Sequence, residues 1–427
     1  MAAANQLDRA AIAARQLEQL RQLLAVILPA NSFYAKKLSE IKTDFASLEE
    51  FSEKIPFTTK AELVLDQEKN SPFGTNLTFP LERYTRFHQT SGTTGTPLRW
   101  LDTPESWNWM VESWAEIFRA AGVGVGDKIY FAFSFGPFIG FWLAFDAGQK
   151  IGALCVPGGG LSSEARLKAI LENEITVLCC TPTYALRLAG VAAKEKIDFG
   201  KSRVKKIIVA GEPGGSIPAT RERLEKSWSG AKVFDHHGMT ETGPVTYECP
   251  AQPGILHVIE SAYFAEIVNP QSGKKVSAGE TGELILTTLG RSGSPLLRYR
   301  TGDLVCAVEN SPCVCGRFDL ALRGGIIGRA DDMIIVRGVN IYPSAIEDVL
   351  RRFEEIAEYQ AVVKTESSLM ELLIRIEPKL EVKEVQNFAR RVGQQLQMTF
   401  NLRVPVELVA PGTLPRFEMK AKRWIRE

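Results

Sequence analysis

The sequence is poor in cysteine and carries no excess of charge of either sign. Seven cysteines in 427 residues are too few for a disulfide-rich scaffold, and an odd number cannot all pair, so a reducing compartment is expected. The 51 basic and 50 acidic side chains leave a formal charge of +1. This balance argues against a protein that is held on nucleic acid by a broad basic surface.

Long hydrophobic runs are also missing. No segment offers the roughly 20 uninterrupted apolar residues of a membrane-spanning helix. Charges interrupt the N-terminal region before an apolar stretch reaches the length of a secretion signal. Hydrophobic residues make up 45% and charged residues 24%, the balance of a globular protein of about two or three domains. We therefore expect a cytoplasmic protein that binds neither nucleic acid nor a membrane.

The hydrophobic pattern up to residue 240 predicts alternating helices and buried strands. Apolar residues near the N-terminus recur at helical spacing, which indicates an amphipathic helix packed on the body of the protein. Farther along, a helical stretch at 164–173 is accompanied by short apolar runs at 175–180 and 204–210. Such alternation is typical of an α/β sheet with both faces covered.

The second half of the chain contains two further kinds of region. Residues 255–308 show short strand patterns between turn residues, which predicts a β-rich subdomain, and a compact α+β region follows residue 331. Strands are predicted at 264–268, 283–288, 304–308, 334–336, 358–363 and 372–376, and a helix at 382–397. The predicted fold is α/β, with a large N-terminal domain (1–330) of layered α/β sheets and a small, mobile C-terminal domain (331–427).

The segment from His88 to Pro97 has the composition of a phosphate-binding loop. Seven of its ten residues are Thr, Ser or Gly. Glycines let backbone N–H groups approach an anion, and hydroxyls add donors around it. The segment lacks the Gly-Lys-Ser/Thr of a Walker loop. On composition alone, such a segment is more often a polar turn than a phosphate-binding loop, so the order of the residues has to decide.

That order resembles the phosphate loop of the adenylate-forming superfamily, which comprises acyl-CoA synthetases, adenylation domains of nonribosomal peptide synthetases and beetle luciferases. Four further segments resemble motifs of the same superfamily in the same order: 237–243, 299–303, 328–338 and 416–420. Shorter phrases at 33–36, 157–163 and 337–343 are similar to the phenylacetate–CoA ligase branch. Together these segments span most of the chain.

The resemblance implies an AMP-forming carboxylate–CoA ligase acting on an aryl or related acid. A carboxylate attacks ATP to give an acyl-adenylate and pyrophosphate, and CoA then displaces AMP to form a thioester. ATP, Mg²⁺ and CoA are therefore the expected small-molecule partners besides the acid, and a homodimer is left open. Positioning and charge neutralisation carry most of the catalysis in such phosphoryl-type chemistry.

Each motif implies roles for residues of this chain. Ser91, Gly92, Thr93, Thr94 and Gly95 would hold the β- and γ-phosphates, Glu241 would bind Mg²⁺, and Thr240 would donate to the α-phosphate. Asp303 would accept from the ribose, and Arg329 would contact the ribose or a phosphate. The resemblance places further residues at the adenine: Gly211, Glu212 and Pro213 as its wall, Asp235 and His236 near its amine, and His237 stacked on its ring.

Two positions depart from the pattern of the superfamily. His237 stands where a tyrosine is more usual, and an imidazole stacks on a purine with less area. Lys420 is the expected adenylation lysine, aimed at the α-phosphate, but it follows Met419 where many relatives have glycine. Lys422 is the alternative. The motif match also places a hinge at Asp331 and a side-chain-free position for the pantetheine arm of CoA at Gly338.

Two clusters lie outside these motifs. Aromatic residues surround two glycines between 133 and 142, which suits either a wall for an apolar acid or a packed core. Cys313 and Cys315, with Cys249 and His257 upstream, supply the three thiols and one imidazole of a closed structural zinc site. Some members of the branch resemble this chain in carrying these four positions, so a structural Zn²⁺ is predicted.

Two other functions remain open from the sequence. An acyl-adenylate former could pass the acyl group to a carrier-protein thiol or an amine, because these acceptors approach the same tunnel. A non-catalytic nucleotide-binding protein with a decayed site is the alternative from another class. The presence of Glu241, Asp303, Arg329 and Lys420 argues against decay.

Overall fold

A computed structural model describes residues 7–90, 97–309, 312–332, 334–337, 339–366, 369–417 and 421–427. The helices within these ranges are α1 (Arg9–Ile27), α2 (Ser32–Lys37), α3 (Leu48–Lys54), α4 (Lys60–Lys69), α5 (Pro104–Ala120), α6 (Ile139–Lys150), α7 (Ser163–Glu172), α8 (Pro182–Lys194), α9 (Pro218–Ser227), α10 (Pro343–Arg351) and α11 (Val385–Phe400). Short 3-10 turns occupy Leu81–Arg83 and Phe199–Lys201.

The strands of the described residues are mostly short. They are β1 (Arg86–Gln89), β2 (Arg99–Asp102), β3 (Lys128–Phe131), β4 (Leu154–Pro157), β5 (Val177–Cys180), β6 (Lys206–Val209), β7 (Lys232–Asp235), β8 (Gly238–Met239), β9 (Gly243–Pro244), β10 (Thr246–Glu248), β11 (Ile255–Val258), β12 (Tyr263–Val268), β13 (Thr281–Thr288), β14 (Tyr299–Cys306), β15 (Ala321–Arg323), β16 (Gly328–Arg329), β17 (Ile334–Val336), β18 (Val339–Ile341), β19 (Ile356–Glu366), β20 (Leu369–Pro378), β21 (Val406–Leu408) and β22 (Trp424–Arg426).

The chain divides into two compact units. One comprises the chain up to Gly160 together with His236–Gly325, and the other comprises Leu161–Asp235 together with Ile326–Glu427. The predicted α/β fold is confirmed by the mixture of parallel and antiparallel sheets. The predicted boundary at residue 330 stays a prediction. Among the described residues, no helix combines the length and the apolarity needed to cross a bilayer.

The first unit is built from antiparallel sheets and helices. Strands β12, β13 and β14 form one antiparallel sheet, and β10, β11 and β15 form another. The unit also contains the parallel pair β3–β4 and the hairpins β1–β2 and β8–β9. Helix α5 packs against α6, β9 and β10. Helix α1 begins after Asp8, whose carboxylate accepts from Ala11 N at 2.8 Å, and it buries an apolar face.

The second unit contains a parallel sheet of β5, β6 and β7 with α7, α8 and α9. Every residue of β5 is buried, which explains its continuous apolar run and places Cys179 and Cys180 in the core. The C-terminal part of this unit is a mixed sheet in the order β21–β20–β19–β22, packed with α10 and α11. Its core includes Ile374, Val392 and Leu396, all fully buried.

Several predicted strands are longer in the structure, and two predicted elements are shifted along the chain. The strand expected at 304–308 begins earlier, because β14 includes Tyr299 and accommodates the motif glycine Gly302 without ending. The helix expected at 382–397 runs as α11 from Val385 to Phe400, since the chain at 379–384 forms turns before the helix begins. The remaining predicted strands each overlap an observed strand.

Candidate active site

The β8–β9 hairpin carries Glu241 at its tip. Gly238 pairs with Pro244 and Met239 with Gly243, so that residues 240–242 form the turn, called here the hairpin tip. The strands approach so closely that a Cβ on Gly238 would lie 2.8 Å from the carbonyl oxygen of Gly243. A side chain at this position would therefore force the hairpin apart.

The carbonyl groups of the hairpin tip all accept hydrogen bonds from buried donors. Arg291 Nη1 donates to Thr240 O at 3.0 Å and to Glu241 O at 2.7 Å. Tyr263 OH donates to Thr242 O at 2.8 Å. Arg291 is itself held by Asp102 through two bonds of 2.7 Å, and both side chains are 0% exposed. The backbone of the tip is thus fixed from one side.

The carboxylate of Glu241 is almost buried and lies beside the ammonium group of Lys60. Lys60 Nζ stands 3.2 Å from Glu241 Oε1, and Tyr299 OH stands 3.5 Å from the same oxygen. Lys60 is the first residue of α4, whose start is fixed by a capping box between Thr59 and Glu62. Because the Lys60 side chain is about half exposed, it can turn toward solvent when another cation takes its place.

Strand β14 has a bulge at the second motif carboxylate. Arg300 pairs with Ile285 and Leu304 with Glu283, so three residues of β14 lie between these pairs and only one residue of β13. Gly302, the middle one of the three, has φ +75°. A bulge with a left-handed glycine re-aims the following side chain. That side chain is Asp303, which is buried, and its Oδ2 lies 3.2 Å from His237 Nε2.

The two histidines that precede the hairpin are held differently. The backbone N–H of His237 donates to Thr246 Oγ1 at 2.8 Å. The ring of His236 packs on Trp114 of α5, with 4.0 Å between centroids. Burial lowers the pKa of His236 to about 3, so its imidazole is neutral at physiological pH. A neutral ring here adds no positive charge beside His237.

The second unit contains the loop that follows β6. Glu212 Oε1 accepts from Thr183 N and Glu212 Oε2 from Ala421 N, each at 2.8 Å. Burial of this carboxylate raises its pKa, against the lowering effect of these donors. Ala421 directly follows Lys420 in the sequence. Asp235, at the end of β7, accepts from Ser216 Oγ at 2.5 Å. Glu212 therefore ties the loop to the C-terminal segment.

The aromatic cluster has a stacked and largely half-buried arrangement. Phe133 and Phe141 are stacked with 3.9 Å between centroids, and Phe135 meets Trp142 edge to face at 5.0 Å. Trp142 Nε1 donates to Gly136 O at 2.9 Å. Phe133 is buried, whereas Phe135, Phe141 and Trp142 are half-buried. Partial exposure favours a wall over a closed core.

The four predicted zinc ligands converge in the first unit. Their ligand atoms all lie within 4.8 Å of one another. Cys249 Sγ is 3.6 Å from Cys313 Sγ, and Cys315 Sγ is 3.5 Å from His257 Nε2. These separations are too long for a disulfide and match the edges, about 3.8 Å, of a tetrahedron with 2.3 Å metal–sulfur bonds.

Three groups of predicted residues cannot be placed. Residues 91–95, Gly338 and Lys420 lie outside the described residues.

The remaining predicted residues are placed in the second unit. Arg329, in β16, makes an ion pair with Asp331 at 2.9 Å. Gly211 and Pro213 flank Glu212 as exposed loop residues.

Sequence reasoning missed Lys60, Asp102, Tyr263 and Arg291, which surround the hairpin tip in the structure. Their positions carry no local motif. Asp102 and Arg291 are 189 residues apart, and only the fold brings them together.

The buried carboxyl of Glu212 leads to a prediction about pH and stability. Its raised pKa means that the folded state favours the protonated form, so its contribution is largest at low pH and is lost as pH rises from 4.5 through the folded pKa. We expect the melting temperature of Glu212→Gln, relative to wild type, to increase as pH rises from 4.5 to neutrality. Thermal unfolding across this range checks it, with the exposed Glu222→Gln of α9 as control for loss of one charge. A difference that falls with pH would contradict the assignment.

Comparison with known proteins gives the site its context. The model of the AMP-binding enzymes matches residues 84–290, and that of the AMP-binding enzyme C-terminal domain matches residues 338–427. A phenylacetate-coenzyme A ligase of Thermus thermophilus is 34% identical over 91% of this chain and 85% of that protein. A phenylacetate-coenzyme A ligase of Escherichia coli K12 is 31% identical over 89% and 86%.

A solved structure covers almost the whole chain. The crystal structure of 2-hydroxyisobutyryl-CoA ligase in the postadenylation state is 28% identical, with a TM-score of 0.93 over 99% of this chain and 91% of that chain. These similarities confirm the predicted superfamily and branch, the C-terminal domain and the class of AMP-forming acid–thiol ligase. The chain belongs to the AMP-binding enzyme family, in the branch of the phenylacetate-coenzyme A ligases.

Proposed function

We propose that this enzyme uses ATP to activate an aryl or related carboxylic acid as an acyl-adenylate and then transfers the acyl group to coenzyme A. One observation carries the assignment of its residues. In strand β14, Tyr299 approaches Glu241, and Asp303 approaches His237. The strand and the hairpin segment thus bring two buried carboxylates, of Glu241 and Asp303, near the imidazole ring of His237. A carboxylate suits a phosphate-bound Mg²⁺, and a carboxylate beside an aromatic ring suits a ribose and its base.

The first half-reaction forms the acyl-adenylate. An oxygen of the substrate carboxylate attacks the α-phosphorus of ATP, and the bond to pyrophosphate breaks. Thr240 donates its hydroxyl to an α-phosphate oxygen, and His237 stacks on the adenine while Asp303 accepts from the ribose. Glu241 would hold Mg²⁺, which when bound neutralises charge on the phosphate oxygens. Arg329 contacts the ribose or a phosphate, and Lys420 brings a positive charge to the α-phosphate.

The second half-reaction forms the thioester. The CoA sulfur attacks the acyl carbon, the thiol proton is lost, and the bond to AMP breaks. The related 2-hydroxyisobutyryl-CoA ligase has also been solved with CoA in a thioesterification state, to which this chain is 29% identical with a TM-score of 0.74. The postadenylation, thioesterification and open states of that relative support the prediction of a mobile C-terminal domain. The hinge at Asp331 and the room for the pantetheine arm at Gly338 stay predictions from the motif match. A cytoplasmic location and a homodimer stay predictions.

We further propose a structural Zn²⁺ on Cys249, His257, Cys313 and Cys315. Three thiolates and one imidazole suit this ion, and four protein ligands leave no open position for catalysis. The surroundings favour a fixed His257. Its Nδ1 lies 3.2 Å from Asp319 O, which leaves Nε2 for the metal, and Tyr247 stacks on the ring at 5.3 Å.

An assay of pyrophosphate release over a panel of aryl and alkyl acids tests the activity. We expect release with at least one aryl acid, and a thioester product when CoA is added. Pyrophosphate without a thioester would favour a carrier protein or an amine as acceptor. An enzyme that binds ATP and releases no pyrophosphate with any acid would favour the non-catalytic alternative.

The adenylation lysine can be tested by separating the half-reactions. Lys420→Ala should slow acyl-adenylate formation by about 100-fold or more, because it removes a charge aimed at the transition state. Thioester formation from a supplied acyl-adenylate should change by only a few-fold. Lys422→Ala is the matched control, since Lys422 is exposed and two positions away. Equal losses in both half-reactions, or a larger effect at Lys422, would contradict the assignment.

The zinc proposal predicts about one metal ion per chain. Elemental analysis of wild-type protein purified without added metal should find zinc. The control variant Cys306→Ser, which changes a half-buried cysteine outside the cluster, should contain as much zinc as wild type. Cys315→Ser should lose most of the zinc and several degrees of melting temperature, because metal binding energy contributes to folding. A metal-free wild type that is as stable as Cys315→Ser would contradict the proposal.

A further inference from the structure

We infer that Arg291 is a positioning residue for the metal-binding carboxylate. It touches neither Glu241 Oε1 nor Oε2 in the described contacts, but it holds the backbone of the hairpin tip from which Glu241 and Thr240 project. The inference rests on the proposed role of Glu241, because positioning matters only if that side chain binds Mg²⁺.

The geometry of the guanidinium group gives it two functions at once. Nε and Nη2 donate to the two oxygens of Asp102, each at 2.7 Å, and this planar, two-bond pairing fixes the orientation of the group. Nη1 then points at the hairpin tip and bridges Thr240 O and Glu241 O. The indole of Trp100 lies 5.0 Å from the guanidinium carbon and closes another side.

The consequence for the tip follows from where its polar groups point. Three consecutive carbonyls, 240 to 242, accept from Arg291 and Tyr263. With the carbonyls fixed, the tip has little freedom to rotate, and the side chain of Glu241 is held where Lys60 and Tyr299 meet it. A carboxylate that is already oriented loses little conformational entropy when it binds a cation.

Lysine cannot replace arginine in this role. An ammonium group lacks the flat fork that pairs with Asp102 on one edge and reaches two carbonyls with another. Arg291→Lys should therefore keep a positive charge near Asp102 and leave at least one tip carbonyl without its donor. A buried carbonyl without a donor costs free energy, so we expect the hairpin tip to reorient in this variant.

The readout is the Mg²⁺ advantage in nucleotide binding, which needs no substrate acid. Calorimetry gives the Kd of ATP in metal-depleted buffer and the Kd of ATP with saturating Mg²⁺. The ratio of the first Kd to the second measures how much Mg²⁺ strengthens the binding of ATP. We expect Arg291→Lys to reduce this ratio about tenfold, the effect of losing one charged hydrogen bond. Arg351→Lys, which alters a buried ion pair on α10, should lower stability and leave the ratio unchanged.

A double variant separates positioning from stability. Asp102→Val/Arg291→Met replaces the buried ion pair by apolar side chains of roughly similar total size, which is often neutral or stabilising. We expect it to be more stable than Arg291→Met alone, because no unpaired carboxylate stays buried, while the ratio stays reduced because the tip carbonyls still lack Arg291. A folded Arg291 variant with the wild-type ratio would overturn the inference. If the double variant does not fold, Arg291→Lys against Arg351→Lys decides.

Glu241→Gln distinguishes this inference from the proposal on which it rests. A reduced ratio in Glu241→Gln with a wild-type ratio in both Arg291 variants would overturn the positioning role alone. An unchanged ratio in Glu241→Gln would overturn the assignment of the metal carboxylate, and the inference about Arg291 would fall with it.

Discussion

The fully buried ion pair between Asp102 and Arg291 is the interaction on which the first unit's site depends. It connects the end of β2 with the segment between β13 and β14, and the same guanidinium group reaches the β8–β9 hairpin. Burying two charges is costly unless their geometry is excellent and the remaining donors are satisfied. Here the two short bonds and the two carbonyl contacts meet both conditions. Elements far apart in sequence are therefore held at one point by one side chain.

A second connection joins the proposed zinc site to the residues that are proposed to bind the nucleotide. His257 pairs across the strands with Tyr247 of β10, and the neighbouring Thr246 accepts from the backbone of His237. On the other side, Arg317 makes an ion pair with Glu116 of α5 at 2.7 Å, and α5 also carries the indole that packs on His236. The proposed zinc site thus supports the segment that leads into the hairpin, although none of its four residues is proposed to bind the nucleotide.

Much of this arrangement could be predicted from the sequence, for identifiable reasons. The motifs around Glu241 and Asp303 contain glycines that the local backbone requires. Gly238 allows a close approach of two strands, and Gly302 adopts a left-handed conformation in a bulge, so both motifs can be recognised in the sequence. The run of β5 was readable because strands covered on both faces are apolar throughout. The partners Lys60, Asp102 and Arg291 leave no such pattern, since a single charged residue gives no indication of what it will meet in the fold. The predicted ends of α11 differ from the observed ends by about three residues, because the sequence signals for helix ends are weaker than the periodicity within a helix.

The spacing of the four thiol and imidazole ligands has a topological effect. Cys249 and Cys313 are separated by 64 residues, and the chain between them contains β11 to β14 with Arg291, Tyr299 and Asp303. An ion bound to both would close this segment into a ring, in the way a cross-link does. Closing a ring of this size removes a few kcal/mol of chain entropy from the unfolded ensemble, about 4 kcal/mol for a covalent cross-link. Local opening of β13 and β14 would then take place inside a tethered loop, which keeps the carboxylate of Asp303 near its partners even when the strands separate.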